Sequence, residues 1–419
     1  MKMPLTFKAL VRASALALAA LGSTAVVPQS TLLEEKVGGE IVDFEFDWAR
    51  DGVYCPECNH GDGNSRIVFT DRDYNMWLGY VDFQTGLFSP FDGRAKLLDT
   101  RAAFATDFGN GPEWMFSKQG SEILYTKYFP GRKMNTFSAS VALARMTGPG
   151  QWEAGIVEGG LKMQSPIGTV DLVDDVPRYN YQDYGKKKVY WRWSDDPSSE
   201  TLMPISEQTG GGSRRWVPGT GKVIFSGSAK PDEFGVVYQQ MFLFDTDTGE
   251  LEQLTFDPLT KWGGFMFQAP EFNNEYVFFT ILNRNSIAIY RNLVGLDGVK
   301  RWTVVNTIQM PAKLPYVWSP EPFTYKGRSW LIFQLSSSPK ANDMSVPTQI
   351  AMTGIDPLRP NFRMLSNDNS IRRVRMDPEY FITAQGPYVY YNRYIPKTDT
   401  KPVRNDGVWR VYTGLGAPD

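Results

Sequence analysis

The chain has 419 residues, and its 44 Lys and Arg residues nearly balance its 46 Asp and Glu residues, which leaves a formal charge of −2. This balance gives no electrostatic reason to expect nucleic acid as a partner. There is 1 histidine, so sites that need two or three histidine ligands are excluded. The length allows a large buried core, and the scattered 38 Gly and 28 Pro residues indicate neither collagen nor long disorder.

Residues 1–25 have the pattern of an export signal. Lys2, Lys8 and Arg12 form a basic region, the apolar run Ala13–Leu21 follows, and small residues suited to cleavage stand at Ser23–Ala25. The apolar run is shorter than the roughly 20 residues that a membrane span requires. The alternative is an amphipathic N-terminal helix of the folded domain. We expect export to a periplasm or to the outside of the cell.

Two cysteines stand close together in the segment Cys55-Pro-Glu-Cys58. In an oxidising compartment, a local disulfide between them is the leading interpretation. Two free thiols are an alternative, and so is a metal site that adds His60, although three nearby ligands are few for a structural zinc site. Haem attachment would require histidine directly after the second cysteine, where Asn59 stands.

Seven segments share one plan, in which a proline is followed by a turn and then by a strongly β-forming run. The runs are rich in β-branched and aromatic residues. They are Arg66–Thr70, Glu122–Thr126, Lys188–Trp193, Lys222–Ser226, Tyr276–Thr280, Trp330–Gln334 and Tyr388–Asn392. Third strands are clearest at Met76–Asp82, Met241–Asp245, Ile287–Arg291 and Val408–Tyr412.

The prolines of this plan recur every 41 to 65 residues, at Pro56, Pro112, Pro177, Pro218, Pro270, Pro320 and Pro378. A repeated unit of this length, made of strands without helices, predicts a β-propeller. We therefore predict an all-β fold, with one propeller domain over residues 26–419 and seven blades. The third repeat is poor in apolar residues, and if it is only an insertion, the ring has six blades.

The two ends of the chain are expected to meet in one blade. The last repeat reaches only its third strand, at about Gly407–Leu415. Near the N-terminus, the segment Ile41–Trp48 alternates apolar and acidic residues, as a half-buried strand does. We expect Ile41–Trp48 to supply the missing fourth strand of the last blade, which would close the ring and protect its edges from aggregation.

The segment Val217–Thr255 resembles the TolB-type propeller repeat. The matching features, in chain order, are Pro218-Gly219, Val223–Ser226, Phe242–Asp245, Gly249 and Leu254-Thr255. Residues 66–86 are similar to the middle of the same unit. The chain departs from the family at the turn, where the family's Ser-Pro-Asp-Gly is replaced by Val217-Pro218-Gly219-Thr220. The resemblance implies the fold and leaves the activity open, because such propellers serve as scaffolds, binding modules and enzyme domains.

Five of the repeat prolines are followed by glutamate, namely Glu57, Glu113, Glu271, Glu321 and Glu379. If each proline marks the start of an innermost strand, these side chains lie near one mouth of the central channel. Close carboxylates repel each other, which raises pKa values or recruits a cation. Paired carboxylates are also what acid–base cleavage of a glycosidic bond requires. Alternatively, Pro-Glu is a structural device whose carboxylate accepts backbone N–H bonds between blades.

Two repeats depart from the common pattern, as active sites often do. The first contains a dense polar cluster in which His60 could be a general base or ligand, or an ordinary loop residue. The third combines a cation with aromatic rings that could bind a sugar by ion pairing and stacking, or could belong to the core. The candidate binding residues of the two repeats are Asn59, Asp62, Arg178, Tyr179 and Tyr181.

These features favour an exported enzyme of the glycoside hydrolase or lyase type, which acts on a carbohydrate or another polyhydroxylated ligand. One alternative is a non-catalytic binding or scaffold propeller, and another is a propeller that shapes a small apolar substrate for cyclisation. We expect a monomer with a small-molecule or glycan partner and no transmembrane segment. The chemistry requires no cofactor, although the carboxylates leave room for a divalent cation at the channel.

Overall fold

The computed structural model describes residues 33–47, 65–102, 111–117, 120–128, 139–148, 150–159, 162–164, 176–183, 186–206, 214–366 and 372–418. All of these residues belong to one unit that spans residues 32–419. Within them, the strands form seven antiparallel sheets, which are the seven blades of a β-propeller. The all-β fold and the seven blades predicted from the repeats are therefore confirmed.

Blades 1 to 6 are each built from strands that follow one another in the sequence. A short strand, β1 (Glu35–Lys36), precedes blade 1. Blade 1 contains β2 (Val42–Phe46), β3 (Ser65–Thr70), β4 (Asn75–Val81), β5 (Phe88–Ser89) and β6 (Lys96–Thr100). Blade 2 contains β7 (Glu113–Ser117), β8 (Gly120–Tyr128), β9 (Ala139–Gly148) and β10 (Gln151–Glu158). Blade 3 contains β11 (Lys162–Gln164), β12 (Arg178–Asp183), β13 (Lys188–Trp193) and β14 (Thr201–Ser206).

The remaining four blades follow the same order. Blade 4 contains β15 (Arg215–Trp216), β16 (Lys222–Ser228), β17 (Gln239–Asp245) and β18 (Leu251–Gln253). Blade 5 contains β19 (Lys261–Ala269), β20 (Glu275–Leu282), β21 (Ser286–Val294) and β22 (Lys300–Gln309). Blade 6 contains β23 (Tyr316–Tyr325), β24 (Arg328–Ser336), β25 (Thr348–Gly354) and β26 (Arg363–Met364). Blade 7 contains β27 (Val374–Thr383), β28 (Gly386–Ile395) and β29 (Arg404–Tyr412), and 3₁₀ turns occur at Pro197–Ser199 and Pro270–Phe272.

The β-forming runs are nearly continuous in apolar residues because both faces of a second strand are buried. Successive side chains of a strand point to opposite faces of the sheet. In β3, Ile67 and Phe69 pack into a cluster shared with blade 7, while Val68 packs into a cluster shared with blade 2. Further clusters join each pair of consecutive blades around the ring. The hydrophobic core is therefore a closed series of interfaces between blades.

The ring closes with a strand from the N-terminal part of the chain, as predicted, but the segment differs from the expected one. β1 is the outermost strand of blade 7, where Glu35 pairs with Arg410 and Lys36 with Trp409. The segment within Ile41–Trp48 instead forms β2, the innermost strand of blade 1, which pairs with β3. Of the acidic residues in this segment, Asp43 and Glu45 face the axis of the ring, whereas Asp47 forms a buried ion pair with Arg66.

The repeat prolines do not occupy one structural position. Pro112 directly precedes β7, whereas Pro320 and Pro378 lie inside the innermost strands β23 and β27. Pro270 begins a 3₁₀ turn after the innermost strand of blade 5, and Pro177 directly precedes the second strand of blade 3. In the third repeat, the run Lys188–Trp193 is consequently the third strand rather than the second. The other six runs are second strands, and the four predicted third strands are confirmed.

Among the residues that the structure describes, we find no helix of the length and apolar character that a membrane crossing demands.

Candidate functional site

The first strands of blades 1, 5, 6 and 7 have a bulge at the same place. In each, the first strand has one residue more than the stretch of the second strand that lies opposite. In blade 1, for example, the four residues Val42–Glu45 lie opposite the three residues Val68–Thr70. The bulged residues lie in the left-handed region, with φ values of 61° at Asp43, 42° at Ser319 and 55° at Asp377. A bulge redirects the side chains that follow it. The residues two positions further on are Glu45, Phe265, Glu321 and Glu379.

These four side chains line a central cavity of about 440 Å³. Six of the seven blades contribute to it, so the cavity lies on the axis of the ring. Its polar lining residues are Asp43, Glu45, Glu113, Arg215, Ser319, Glu321, Asn342, Asp377, Glu379, Asn392 and Tyr394, and Val42, Phe265, Pro322, Met376 and Tyr380 add apolar surface. The volume is in the range of small-molecule sites in proteins.

One guanidinium group faces this set of carboxyl groups. Arg215 Nη2 lies 3.2 Å from Glu321 Oε1, and both side chains are largely buried. The guanidinium carbon lies 4.2 Å from the centre of the Phe265 ring. Stacking on an aromatic ring and pairing with a carboxylate are both arrangements that suit arginine. On this side of the cavity, therefore, a carboxyl group is paired with a positive charge.

The buried glutamates of the cavity, Glu321 included, have raised pKa values. Burial raises the pKa of Glu379 far above its ordinary value, and the charges of Glu321, Asp377 and Glu113 raise it further. Burial and the charge of Glu379 do the same to the pKa of Glu45. Burial also raises the pKa of Glu321, to about 8, although Arg215 opposes the shift. Repelling carboxyl groups in one site cannot all ionise together. Glu321 therefore ionises more readily than Glu45 and Glu379.

Asp43 and Asp377 form a second, distinct pair in the cavity. Burial raises the pKa of Asp377, and the charge of Arg215 and a side-chain hydrogen bond with Asp43 oppose this shift only in part. Gly111 leaves room for this arrangement, since a Cβ built on it would overlap the Asp43 carboxyl group.

The sequence-predicted glutamates are only partly brought together. Glu113, Glu321 and Glu379 line the cavity. Glu271 does not, because it lies in the 3₁₀ turn beyond the far end of β19. Its carboxylate accepts hydrogen bonds from the backbone N–H of Ser329, at 3.0 and 3.1 Å, and from the Ser329 hydroxyl, at 2.8 Å. Glu271 thus links blades 5 and 6. At this position the Pro-Glu motif has the structural role that was the alternative to a role in the channel.

The candidate binding residues of the third repeat lie away from the cavity. Tyr179 and Tyr181 have no exposed surface and pack in the cluster between blades 2 and 3. Arg178 is buried, pairs with Asp247 of blade 4 at 2.6 Å, and lies 3.9 Å from the centre of the Trp193 ring. The expectation that these three residues face a ligand is corrected, because both faces of this second strand are covered by neighbouring blades.

The candidates of the first repeat, Cys55, Glu57, Cys58, Asn59, His60 and Asp62, lie outside the described residues. The proposed export signal over residues 1–25 lies outside them as well. Within the described ranges, no three carboxylate, imidazole or thiol groups are grouped closely enough to hold a metal ion.

Sequence reasoning missed several cavity residues, namely Asp43, Glu45, Arg215, Phe265, Asp377 and Tyr394. A signal for three of them, Asp43, Glu45 and Asp377, was present. Asp43-Phe44-Glu45 and Asp377-Pro378-Glu379 share the spacing Asp-x-Glu, and Ser319-Pro320-Glu321 is similar. The Pro-Glu motif does not reveal this spacing in blade 1, because Phe44 stands there where blades 6 and 7 have proline.

No family model matches the sequence, and no curated protein matches it. Among solved structures, the chain is similar to an oligogalacturonate lyase from Vibrio parahaemolyticus, with a TM-score of 0.51, 10% identity, and coverage of 92% of this chain and 94% of that one. It is also similar to TolB from Acinetobacter baumannii, with a TM-score of 0.39, 13% identity, and coverage of 84% and 79%.

A third similar structure is the Dos1 propeller, with a TM-score of 0.43, 7% identity, and coverage of 84% of this chain and 76% of that one. At such low identity, the similarities concern the fold alone. The seven blades confirm the β-propeller fold that the resemblance to the TolB-type repeat implied. Because one fold can carry many activities, the function has to be argued from the cavity.

Proposed function

We propose that the protein is an enzyme that performs acid–base chemistry on a neutral polyhydroxylated ligand, such as a carbohydrate, in the central cavity. The observation that supports this proposal most strongly is the asymmetry between Glu321 and Glu379. Glu321 is paired with Arg215, whereas the charges around Glu379 mainly oppose its ionisation. Two carboxyl groups whose pKa values are held apart are the usual basis for separate acid and base roles.

In this proposal, Glu321 is the general base and Glu379 is the general acid. Burial raises the pKa of Glu321 to about 8 although Arg215 opposes the shift, so Glu321 becomes a carboxylate that can accept a proton from the substrate or from water as the pH approaches 8. Glu379 retains its proton at neutral pH and can donate it to a departing oxygen. Positioned acid–base groups typically contribute about 10²- to 10⁴-fold to a reaction rate.

The lining of the cavity favours a neutral ligand with several hydroxyl groups. Among the described lining residues, Arg215 supplies the guanidinium, and it is already paired with Glu321. An anionic ligand would add negative charge beside carboxyl groups that already repel one another. Carboxyl, amide and hydroxyl side chains such as Asn342, Asn392 and Tyr394 offer both donors and acceptors. Phe265 and Tyr380 provide aromatic surface for the apolar face of a sugar ring.

Two alternatives follow from other features of the same cavity. The apolar residues Val42, Phe265, Pro322 and Met376 would suit a small apolar substrate that is shaped for cyclisation. A non-catalytic binding or scaffold propeller would use the cavity for a ligand without turning it over. The variants below separate these alternatives from acid–base catalysis, because only catalysis depends on proton transfer by particular carboxyl groups.

The test compares E321Q and E379Q with the wild-type protein on a panel of p-nitrophenyl glycosides and neutral oligosaccharides, with oligogalacturonate as an anionic member. Release of p-nitrophenol or of new reducing ends reports hydrolysis, and a new conjugated double bond reports elimination. We expect each variant to lose about 10²-fold or more in kcat on any substrate that is turned over. The matched control is E271Q, which changes the same Pro-Glu motif outside the cavity and should keep wild-type turnover.

Absence of turnover on the whole panel, or equal and small losses in E321Q, E379Q and E271Q, would reject the proposal. The first result would favour the binding or scaffold alternative. The second would mean that the carboxyl groups act only on stability.

We further propose export after removal of residues 1–25, a Cys55–Cys58 disulfide and a monomeric state. Mass spectrometry of the protein from the periplasmic and extracellular fractions, before and after reduction, tests the first two. Light scattering tests the third. Turnover that persists after dialysis against a chelator would agree with chemistry that needs no cofactor, and loss of turnover would indicate a divalent cation at the channel.

A further inference from the structure

We propose that Phe265 is a positioning residue, which holds the guanidinium group of Arg215 against Glu321 and so determines which carboxyl group of the cavity is the base. This inference rests on the proposed function, because Glu321 is the general base there. It adds to that function the residue that controls the ionisation of the base. Phe265 itself transfers no proton and acts through Arg215.

Blade 5 has an aromatic ring at a position where three other blades have a carboxyl group. Phe265 follows the bulge of its strand, as Glu45, Glu321 and Glu379 do in blades 1, 6 and 7. The bulge of blade 5 requires glycine, because a Cβ built on Gly264 would lie 2.6 Å from a backbone oxygen of β20. The local sequence thus directs a side chain that cannot ionise into a cavity lined by carboxyl groups.

The Phe265 ring is fixed by the core of its own blade. It stacks on the ring of Phe279, with the centroids 5.6 Å apart and an angle of 24° between the planes. Phe279 lies directly opposite on β20 and is fully buried in the cluster between blades 5 and 6. The same Phe265 ring contacts the guanidinium carbon of Arg215, which lies 4.2 Å from its centre. A ring held in this way is a rigid surface for a flexible cationic side chain.

Arg215 needs such a surface because little else holds its side chain. It belongs to a two-residue strand of blade 4, and its guanidinium passes over Phe265 of blade 5 to reach Glu321 of blade 6. The hydrogen bond from Nη2 to Glu321 Oε1 is 3.2 Å long, which is more than the usual 2.7–2.9 Å of a charged pair. Among the described residues, the buried Nε has no hydrogen-bond partner. Holding a long side chain in one geometry costs conformational entropy, which the contact with the ring offsets in part.

Several carboxyl groups compete for this guanidinium group. Its charge acts on Asp377 and Glu379 as well as on Glu321. The titratable groups that interact with Glu321 are Arg215, Glu45, Glu113, Asp377 and Glu379. Without the aromatic contact, the guanidinium would move toward Asp377 or Glu379, and Glu321 would lose the charge that favours its ionised form. The ring therefore keeps the positive charge with one carboxyl group among several.

The test measures the ionisation of Glu321 directly and uses no substrate. Protein labelled with carbon-13 at the glutamate carboxyl groups is titrated by NMR, and E321Q identifies the signal of Glu321. We expect a midpoint at a pH of about 8 in the wild-type protein. R215Q should raise this midpoint by about 1–3 pH units, because it removes the opposite charge. F265L keeps apolar volume but removes the ring, and it should raise the midpoint by about 1 pH unit.

Three further variants separate the effect on Arg215 from an effect on packing. F265Y retains an aromatic face and should keep the wild-type midpoint. F267L removes a neighbouring ring, whose centroid lies 6.4 Å from that of Phe279 and which lies outside the lining of the cavity, so it should also keep the midpoint. In the double variant F265L/R215Q, the midpoint should equal that of R215Q, because Phe265 acts only through the arginine.

An unchanged midpoint in F265L would overturn the inference. Equal shifts in F265L and F267L, or a midpoint in F265L/R215Q above that of R215Q, would overturn it as well. F265M is a second variant without the ring in case F265L does not fold, and loss of folding in both would mean that Phe265 is a core residue rather than a positioning residue. These measurements need no turnover. They can fail while E321Q and E379Q still abolish catalysis, and they can succeed when no substrate of the panel is turned over, so the two proposals are judged separately.

Discussion

Glu34 and Arg375 form a doubly hydrogen-bonded ion pair between the segment that precedes β1 and the innermost strand of blade 7. Arg375 Nε lies 2.6 Å from Glu34 Oε1, and Arg375 Nη2 lies 2.6 Å from Glu34 Oε2. Tyr391 donates a further hydrogen bond to the same carboxylate. Burial alone would raise the pKa of Glu34, but these contacts outweigh it and lower the pKa. The ion pair thus links the N-terminal segment of the described chain to the last blade.

Removal of the Glu34 carboxylate should destabilise the protein strongly. E34A leaves the Arg375 guanidinium, which is 1% exposed, without its partner. Loss of one member of a buried ion pair typically costs about 3–5 kcal/mol. The measurement is the free energy of unfolding from urea denaturation.

The neighbouring residue provides a matched control. Glu35 also pairs with an arginine, Arg410, at 2.7 Å, but the Glu35 side chain is 52% exposed. Water reaches the Glu35 carboxylate, and the Arg410 guanidinium keeps its hydrogen bond to the backbone oxygen of Thr85, so E35A should cost less than E34A. Equal losses in E34A and E35A would argue against a special role of Glu34 in ring closure.

The carboxyl groups of the cavity should make the protein less stable as the pH rises. Glu45, Glu321 and Glu379 keep their protons in the folded state, while in the unfolded chain they ionise near pH 4.5. Between that pH and their folded-state pKa values, the folded protein binds more protons than the unfolded chain. The free energy of unfolding then falls by about 1.4 kcal/mol per pH unit for each such group. The contribution of Glu321 is lost as the pH passes about 8.

The E379Q variant tests this relationship directly. Glutamine cannot ionise, so the variant should show a shallower decline of stability between about pH 5 and pH 8 and should be more stable than the wild-type protein at the upper end. Thermal and urea denaturation across this pH range are the measurements. E275Q, at a half-exposed surface position paired with Arg291, should keep the wild-type slope. An unchanged slope in E379Q would mean that Glu379 is ionised in the folded protein.

Much of the fold could be predicted because it depends on local pattern. Six of the seven β-forming runs are second strands, whose two buried faces impose a continuous apolar sequence. The closing strand could not be located in this way, since Glu35–Lys36 is only two residues long and has no periodicity. The alternation in β2 instead predicted a half-buried fourth strand of the last blade. Alternation alone does not distinguish the outer solvent from a polar cavity on the axis.

The site could be predicted only in part, because the dipeptide Pro-Glu occurs in two different structural settings. Proline is accepted next to a bulge, as at Pro320 and Pro378, and also at the start of a 3₁₀ turn, as at Pro270. The first setting directs the following glutamate to the cavity, and the second directs it to the neighbouring blade. Arg215 carries no sequence signal of this kind, since it is placed by a two-residue strand.

The Glu271–Ser329 contact should contribute to stability through the interface between blades 5 and 6. E271A removes the acceptor of a backbone N–H and a hydroxyl that are both partly buried. Unsatisfied buried donors cost about 1–3 kcal/mol, so a loss of this size is expected in urea denaturation. S329A should cost less, because the backbone N–H keeps its bond to the carboxylate. In the double variant E271A/S329A the losses should be clearly non-additive. Strict additivity would contradict a direct contact.

The close approach of Gly111 and Asp43 gives a test of the cavity that does not depend on any ligand. In G111A the new methyl group would overlap the Asp43 carboxyl group, which is held in place by the backbone φ of 61° and by its bond to Asp377. Overpacking of this kind typically costs about 1–3 kcal/mol. D43G removes the obstructing side chain and places glycine where a positive φ is favourable. The double variant D43G/G111A should therefore be more stable than G111A alone in urea denaturation. If D43G fails to rescue G111A, the carboxyl group of Asp43 is not what the new methyl group displaces.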